Sequence, residues 1–77
     1  MLLPGQVRMA RAALGWSLAE LARRAEVNPN TISRYETGRE VLSGILQKLE
    51  AVLRAEGIVF LEDAAEIGVK LPKGKMR

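Results

Sequence analysis

Ser17-Leu18-Ala19-Glu20-Leu21-Ala22-Arg23-Arg24-Ala25-Glu26-Val27-Asn28-Pro29-Asn30-Thr31-Ile32-Ser33-Arg34-Tyr35-Glu36-Thr37-Gly38-Arg39 contains two helix starts in close succession. Ser17 with Glu20 three residues on is a capping-box spacing: the hydroxyl takes a backbone N–H and the carboxylate returns to the other end. Leu18, Leu21, Ala22 and Ala25 then supply one buried face. Trp16, just before the cap, is placed to staple against the helix it precedes. Asn28-Pro29 is the second start, because Asn caps well and Pro at the first helical position loses no needed hydrogen bond. This helix runs to about Thr37 and ends at Gly38. Its only apolar residues are Ile32 and Tyr35. A helix with so few anchors presents its remaining surface, Asn30, Thr31, Ser33 and Arg34, to solvent or a ligand.

The flanking chain supplies the support. Val7, Ala10, Arg11 and Leu14 recur at helical spacing, with Pro4-Gly5 ahead of the pattern and Gly15 as its C-terminal cap. Leu42, Ile45, Leu46, Leu49, Val52 and Leu53 form a wide apolar stripe on a fourth helix, from about Leu42 to Ala55. After Gly57 the period changes. Ile58-Val59-Phe60-Leu61 and Gly68-Val69-Lys70-Leu71 bracket the polar turn Glu62–Glu66, the pattern of a small β-hairpin. A lone hairpin is barely stable in water, so it must pack on the helices or on another copy. The expected organisation is a helical region over residues 1–57, a packing or dimerisation hairpin over 58–71, and a basic tail over 72–77. The fold class is mainly α: a four-helix bundle with a short C-terminal hairpin.

Composition removes other function classes. The 77 residues include no Cys and no His, which excludes the usual zinc site, a disulfide, and a Cys–His or Ser–His catalytic pair. Aromatics at 4% argue against a stacking platform for single-stranded RNA. Glu62, Asp63 and Glu66 are the one acidic cluster, and they read as a solvated turn. No enzyme and no cofactor are expected. No stretch approaches the roughly 20 apolar residues that cross a bilayer. The N-terminus does not read as a signal peptide, so a soluble, cytoplasmic protein is expected.

The net charge of +3 is unevenly spread: +3 over residues 1–39, −4 over 40–69 and +4 over 70–77. The positive front is wholly arginine. Guanidinium binds oxyanions in a fork geometry, which suits phosphate recognition. Arg8, Arg23 and Arg24 read as solvated helix surface. Lys73, Lys75 and Arg77 read as a frayed tail.

Two short helices joined by a tight turn, the second polar on its open face, make a helix-turn-helix pattern. The Leu-Ala pair, Val27 before the cap, Thr31-Ile32-Ser33 and the Glu36-Thr37-Gly38 close resemble the XRE family, the phage-repressor/Cro-type DNA-binding domain. The resemblance covers roughly Val7 to Leu53. It implies a compact helical bundle that binds duplex DNA as a homodimer, with Asn28–Thr37 in the major groove. By alignment to the family, Asn28, Pro29, Asn30 and Arg34 reach base edges. Asn30 suits an adenine edge, Arg34 a guanine O6/N7, and Pro29 an apolar contact only. Thr31 and Ser33 reach phosphate or a thymine methyl. Ser17 presents helix N-terminal N–H groups to a phosphate, and Arg39 makes a phosphate contact. The family also implies an ion pair between Arg11 and Glu36 that orients the recognition helix.

Two residues depart from the family. Leu18 stands where a Gln commonly touches phosphate, and it reads as core. Glu26 stands where the turn usually carries Gly. Either it adopts the left-handed conformation at a cost of about 1 kcal/mol, or the turn is rebuilt. The leading function is a sequence-specific transcriptional repressor. The alternatives are the antitoxin half of a toxin–antitoxin pair, and a protein-interaction module that keeps the fold but no longer reads DNA. Both the hairpin and the apolar stripe of the fourth helix are candidate dimer surfaces.

Overall fold

The computed structural model describes residues 2–75. Its order is α1 (Pro4–Leu14), α2 (Leu18–Ala25), α3 (Pro29–Glu36), α4 (Ser43–Ala55), β1 (Val59–Glu62) and β2 (Ile67–Lys70), followed by a single 3-10 turn at Lys73–Lys75. The chain is mainly helical, with one antiparallel hairpin, as the patterning predicts.

Pro4 and Gly5 do not precede the first helix; they form its first turn. Pro4 takes the N1 position, where its missing N–H costs nothing. The free N–H of Leu3 is satisfied by Gln6 Oε1 at 3.0 Å. Gly15 ends α1 in the left-handed conformation (φ 70°). Glu26 does the same for α2 with φ 58°, so the chain accepts the strained turn rather than rebuilding it. At the start of α2 only half of the capping box forms. Ser17 Oγ accepts the Glu20 N–H at 3.0 Å. The Glu20 carboxylate instead takes Arg23 and Arg24, one turn ahead on the same helix. Two cations offer it more than one neutral N–H at an exposed site.

The core collects Val7, Ala10 and Leu14 of α1, Leu21, Ala22 and Ala25 of α2, Ile32 and Tyr35 of α3, Leu49 and Leu53 of α4, and the flanking Leu2 and Ile58. Ile45, Leu46 and Val52 of α4 pack partly against it, as do Trp16 and Leu18. The apolar stripe of α4 is therefore mostly turned to the core, not outward. Leu42, at its N-cap, is the member left exposed. That weakens α4 as a dimer surface.

The hairpin register pairs Val59 with Lys70, Phe60 with Val69, Leu61 with Gly68 and Glu62 with Ile67. Phe60 and Val69 share the face packed on the core. Gly5 lets β2 approach α1 closely: a Cβ there would lie 2.9 Å from Ile67 Cδ1. Fully buried Gln6 fastens the two units, its Nε2 donating to the carbonyls of Leu61 (2.9 Å) and Gly68 (3.2 Å). The hairpin is thus tied to α1 by polar bonds as well as by packing.

Beyond it, Lys75 Nζ lies 3.9 Å from Glu56, so that part of the tail folds back on the end of α4 instead of fraying. Arg77 of the expected basic tail lies outside the described residues.

Candidate nucleic-acid interface

The second helix start positions α3. Asn28 is its N-cap, with Oδ1 accepting the Asn30 N–H at 2.8 Å, and Pro29 is its first residue. One side of α3 is anchored. Ile32 is fully buried, and the Tyr35 hydroxyl donates to Leu2 O at 2.5 Å. Burial pushes the Tyr35 hydroxyl pKa up. Glu36, only 6% exposed, receives Arg11 as a two-pronged fork: Nε to Oε2 at 2.7 Å and Nη2 to Oε1 at 2.9 Å. Arg11 Nη1 also donates to Trp16 O at 3.0 Å. The guanidinium is held above its ordinary pKa, chiefly by the Glu36 hydrogen bonds. One side chain therefore ties α1 to α3 and to the entrance of α2.

The opposite side of α3 is free. Asn28, Pro29, Asn30 and Arg34 are exposed, and Thr31 and Ser33 are half-buried. Asn30 and Arg34 lie four residues apart and so share one helix face. Among the described residues neither side chain has an internal partner. Asn28 spends one oxygen lone pair on the cap and keeps its amide donors. Arg34 O accepts from Thr37 Oγ1 (2.8 Å) and from the Arg39 N–H (3.0 Å). Those bonds fix Arg39 just past the helix end, exposed and outside any ion pair among the described residues.

The remaining arginines of the front half divide. Arg23 and Arg24 are exposed and share Glu20 on their own helix, whose carboxyl lies below the usual carboxylate range for that reason, and Arg24 also lies 3.9 Å from Glu56 at the end of α4. Arg24 also stacks over Trp16, 4.3 Å from the ring centroid. Among the described residues Arg8, Arg34 and Arg39 are the front-half arginines that are exposed and outside any ion pair, and Arg34 and Arg39 are the two on or just beyond α3. Ser17 is exposed at the N-terminus of α2, its hydroxyl oxygen occupied by the cap. Leu18 packs against the core and offers no polar contact of its own.

Sequence reasoning missed Gln6 and Leu2, which hold the scaffold rather than the interface. The signal for Gln6 was a Leu3-Pro4-Gly5-Gln6 start, the N3 half of a capping box without a hydroxyl at its cap. No group of His, Cys, Asp or Glu among the described residues could hold a metal. No described helix is long and apolar enough to cross a membrane.

An anchored short helix with one open polar face, following a capped partner across a tight turn, defines a helix-turn-helix module. A helix-turn-helix family model matches residues 7–58, well over half of the chain. The chain belongs to the XRE-type helix-turn-helix family, a family of DNA-binding transcription regulators and not of enzymes. Double-stranded DNA is the partner this membership supports. No curated protein sequence matches the chain.

Proposed function

We propose that this chain is a sequence-specific repressor acting in the cytoplasm, bound to its operator as a homodimer with α3 in the major groove of each half-site. The observation that carries the reading is the division of α3 into an anchored side and an open one. Ile32, Tyr35 and Glu36 hold the helix, while among the described residues the side-chain donors of Asn28, Asn30 and Arg34 have no internal partner. Asn30 reads adenine and Arg34 reads guanine, each in bidentate fashion. Pro29 and the methyl of Thr31 offer apolar contacts, and Ser33 a short polar one. Arg39 and the N-terminal N–H groups of α2 behind Ser17 take phosphates and set the register. Arg11 and Glu36 do not touch DNA; they keep α3 at one angle.

One copy supplies one recognition helix, and its small core leaves room for a partner copy. Two-fold symmetry then requires inverted half-sites about 34 Å apart, one helical turn of DNA. Selection from a random duplex library tests this. The expected product is a pseudo-palindrome with a guanine and an adenine in each half. Recovery of unrelated sequences overturns the reading.

A further inference from the structure

The open edge of β2 has the form of an incomplete sheet. Asp63 N–H donates to Glu66 O at 2.9 Å, and the register beyond is continuous. Bonded and non-bonded pairs alternate in an antiparallel ladder, so Leu61–Gly68 and Val59–Lys70 face inward. The outward N–H and C=O groups of β2 therefore belong to Ile67 and Val69. Among the described residues no backbone bond outside the ladder and no side-chain bond reaches these four groups. Exposed apolar surface lies beside the edge. Ile67 is 39% exposed. Met9, also 39% exposed, follows by one turn the Gly5 that Ile67 meets.

We infer that the second copy docks here, β2 against β2 in antiparallel register centred on Gly68, joining the hairpins into a four-stranded sheet. This deepens the homodimer reading of the proposed function and rests on it. A two-fold axis through an antiparallel pair must sit between identical residues, which leaves few registers. Centring on Gly68 pairs Ile67 with Val69 of the other copy, twice. All four outward groups then bond, and the apolar undersides meet.

The same register places Lys70 directly opposite Glu66 of the other copy, again twice. Neither residue has an ion-pair partner within its own chain among the described residues. Glu66 lies in the acidic turn with Glu62 and Asp63, so an incoming lysine relieves like-charge crowding. Centring on Val69 instead sets Lys70 opposite glycine. The β1 edge is a poorer choice. Centred on Leu61 it sets Glu62 and Asp63 opposite Phe60 and Val59, with no cation to meet them. Charge on an edge without a matching partner discourages pairing.

Charge reversal tests the register. Lys70→Glu or Glu66→Lys alone turns two attractive cross-strand pairs into repulsive ones and is expected to weaken the dimer about tenfold. The double variant E66K/K70E restores both pairs and should recover the wild-type constant. Sedimentation equilibrium without DNA reads all four proteins. Hydrogen exchange gives a second readout: the amides of Ile67 and Val69 gain protection with concentration, and those of Phe60 and Glu62 do not. A monomeric wild type, single variants as tight as wild type, or a double variant as weak as the singles overturns the proposal. Duplex binding by the same samples separates this from the functional reading: a dimer with another interface still binds DNA, whereas failure of the DNA reading leaves the dimer intact.

Discussion

Replacing Glu36 with Met keeps the volume and removes both acceptors of the Arg11 fork. The guanidinium then loses its 2.7 Å and 2.9 Å bonds, and only Trp16 O at 3.0 Å remains. Arg11 is 21% exposed, so water reaches it in part, and the loss falls at the low end for a broken buried pair, about 3 kcal/mol. Arg11→Met strands a carboxylate that is only 6% exposed, at a similar cost. A chain this small has only about 4–11 kcal/mol in total. With a urea slope of about 1 kcal/mol per molar, either variant should lower the unfolding midpoint by roughly 3 M. The double variant places two apolar side chains in contact and strands no charge. Its loss should fall short of the sum of the singles by at least about 2 kcal/mol. Urea unfolding of all four proteins by circular dichroism gives the cycle. Additive losses, or single losses below about 1 kcal/mol, would refute the claim that this pair holds the recognition helix.

Further outcomes follow from other residues. Glu26→Gly relieves a left-handed residue at φ 58° and should stabilise the fold by about 0.5–1 kcal/mol, seen as a higher melting temperature; a lower one contradicts it. Gln6→Leu removes the bonds to Leu61 and Gly68 and should cost about 2 kcal/mol, with hairpin amides exchanging faster than those of α3; uniform exchange contradicts it. Asp63 is held below its ordinary pKa by the N–H groups of Ala65 and Glu66. Its support of the turn is therefore present above the ordinary aspartate range and lost as pH falls through its lowered value. In an NMR titration the Ala65 and Glu66 amide shifts should move with the Asp63 carboxyl, and Asp63→Asn should abolish that movement. Arg39→Ala should weaken duplex binding evenly across sequences and reduce the salt slope by about one; a change in sequence preference contradicts its phosphate role.

Local chemistry made much of the fold legible. Asn28-Pro29 marks the start of α3 within the sequence itself, and the apolar spacing of α1, α2 and α4 names most of the core. The switch of period after Gly57 marks the hairpin. What stayed hidden depends on distant partners. Gln6 is the one polar residue among the buried positions of α1, and the carbonyls that justify its burial lie 55 and 62 residues away. Leu2 accepts from Tyr35 through its backbone, where side-chain identity carries no signal. Glu20 could serve the Ser17 N–H or two arginines, and spacing alone does not rank them. The Arg11–Glu36 pair was legible only through family resemblance, because nothing local links two charges 25 residues apart. At the interface, the exposure of Asn28, Asn30 and Arg34 followed from the scarcity of apolar residues on α3. The half-burial of Thr31 and Ser33 did not, since it is set by how α3 tilts against its neighbours.

One titration decides whether the open face of α3 reads duplex DNA. The affinity of the wild type and of Arg34→Ala is measured against salt on the selected duplex and on variants at its guanine. For the wild type, log affinity should fall steeply and linearly with log salt. Arg34→Ala should lose about 1–3 kcal/mol on the selected site and no longer distinguish the guanine variants. Salt-insensitive binding, or an Arg34→Ala protein with unchanged preference, would contradict that reading.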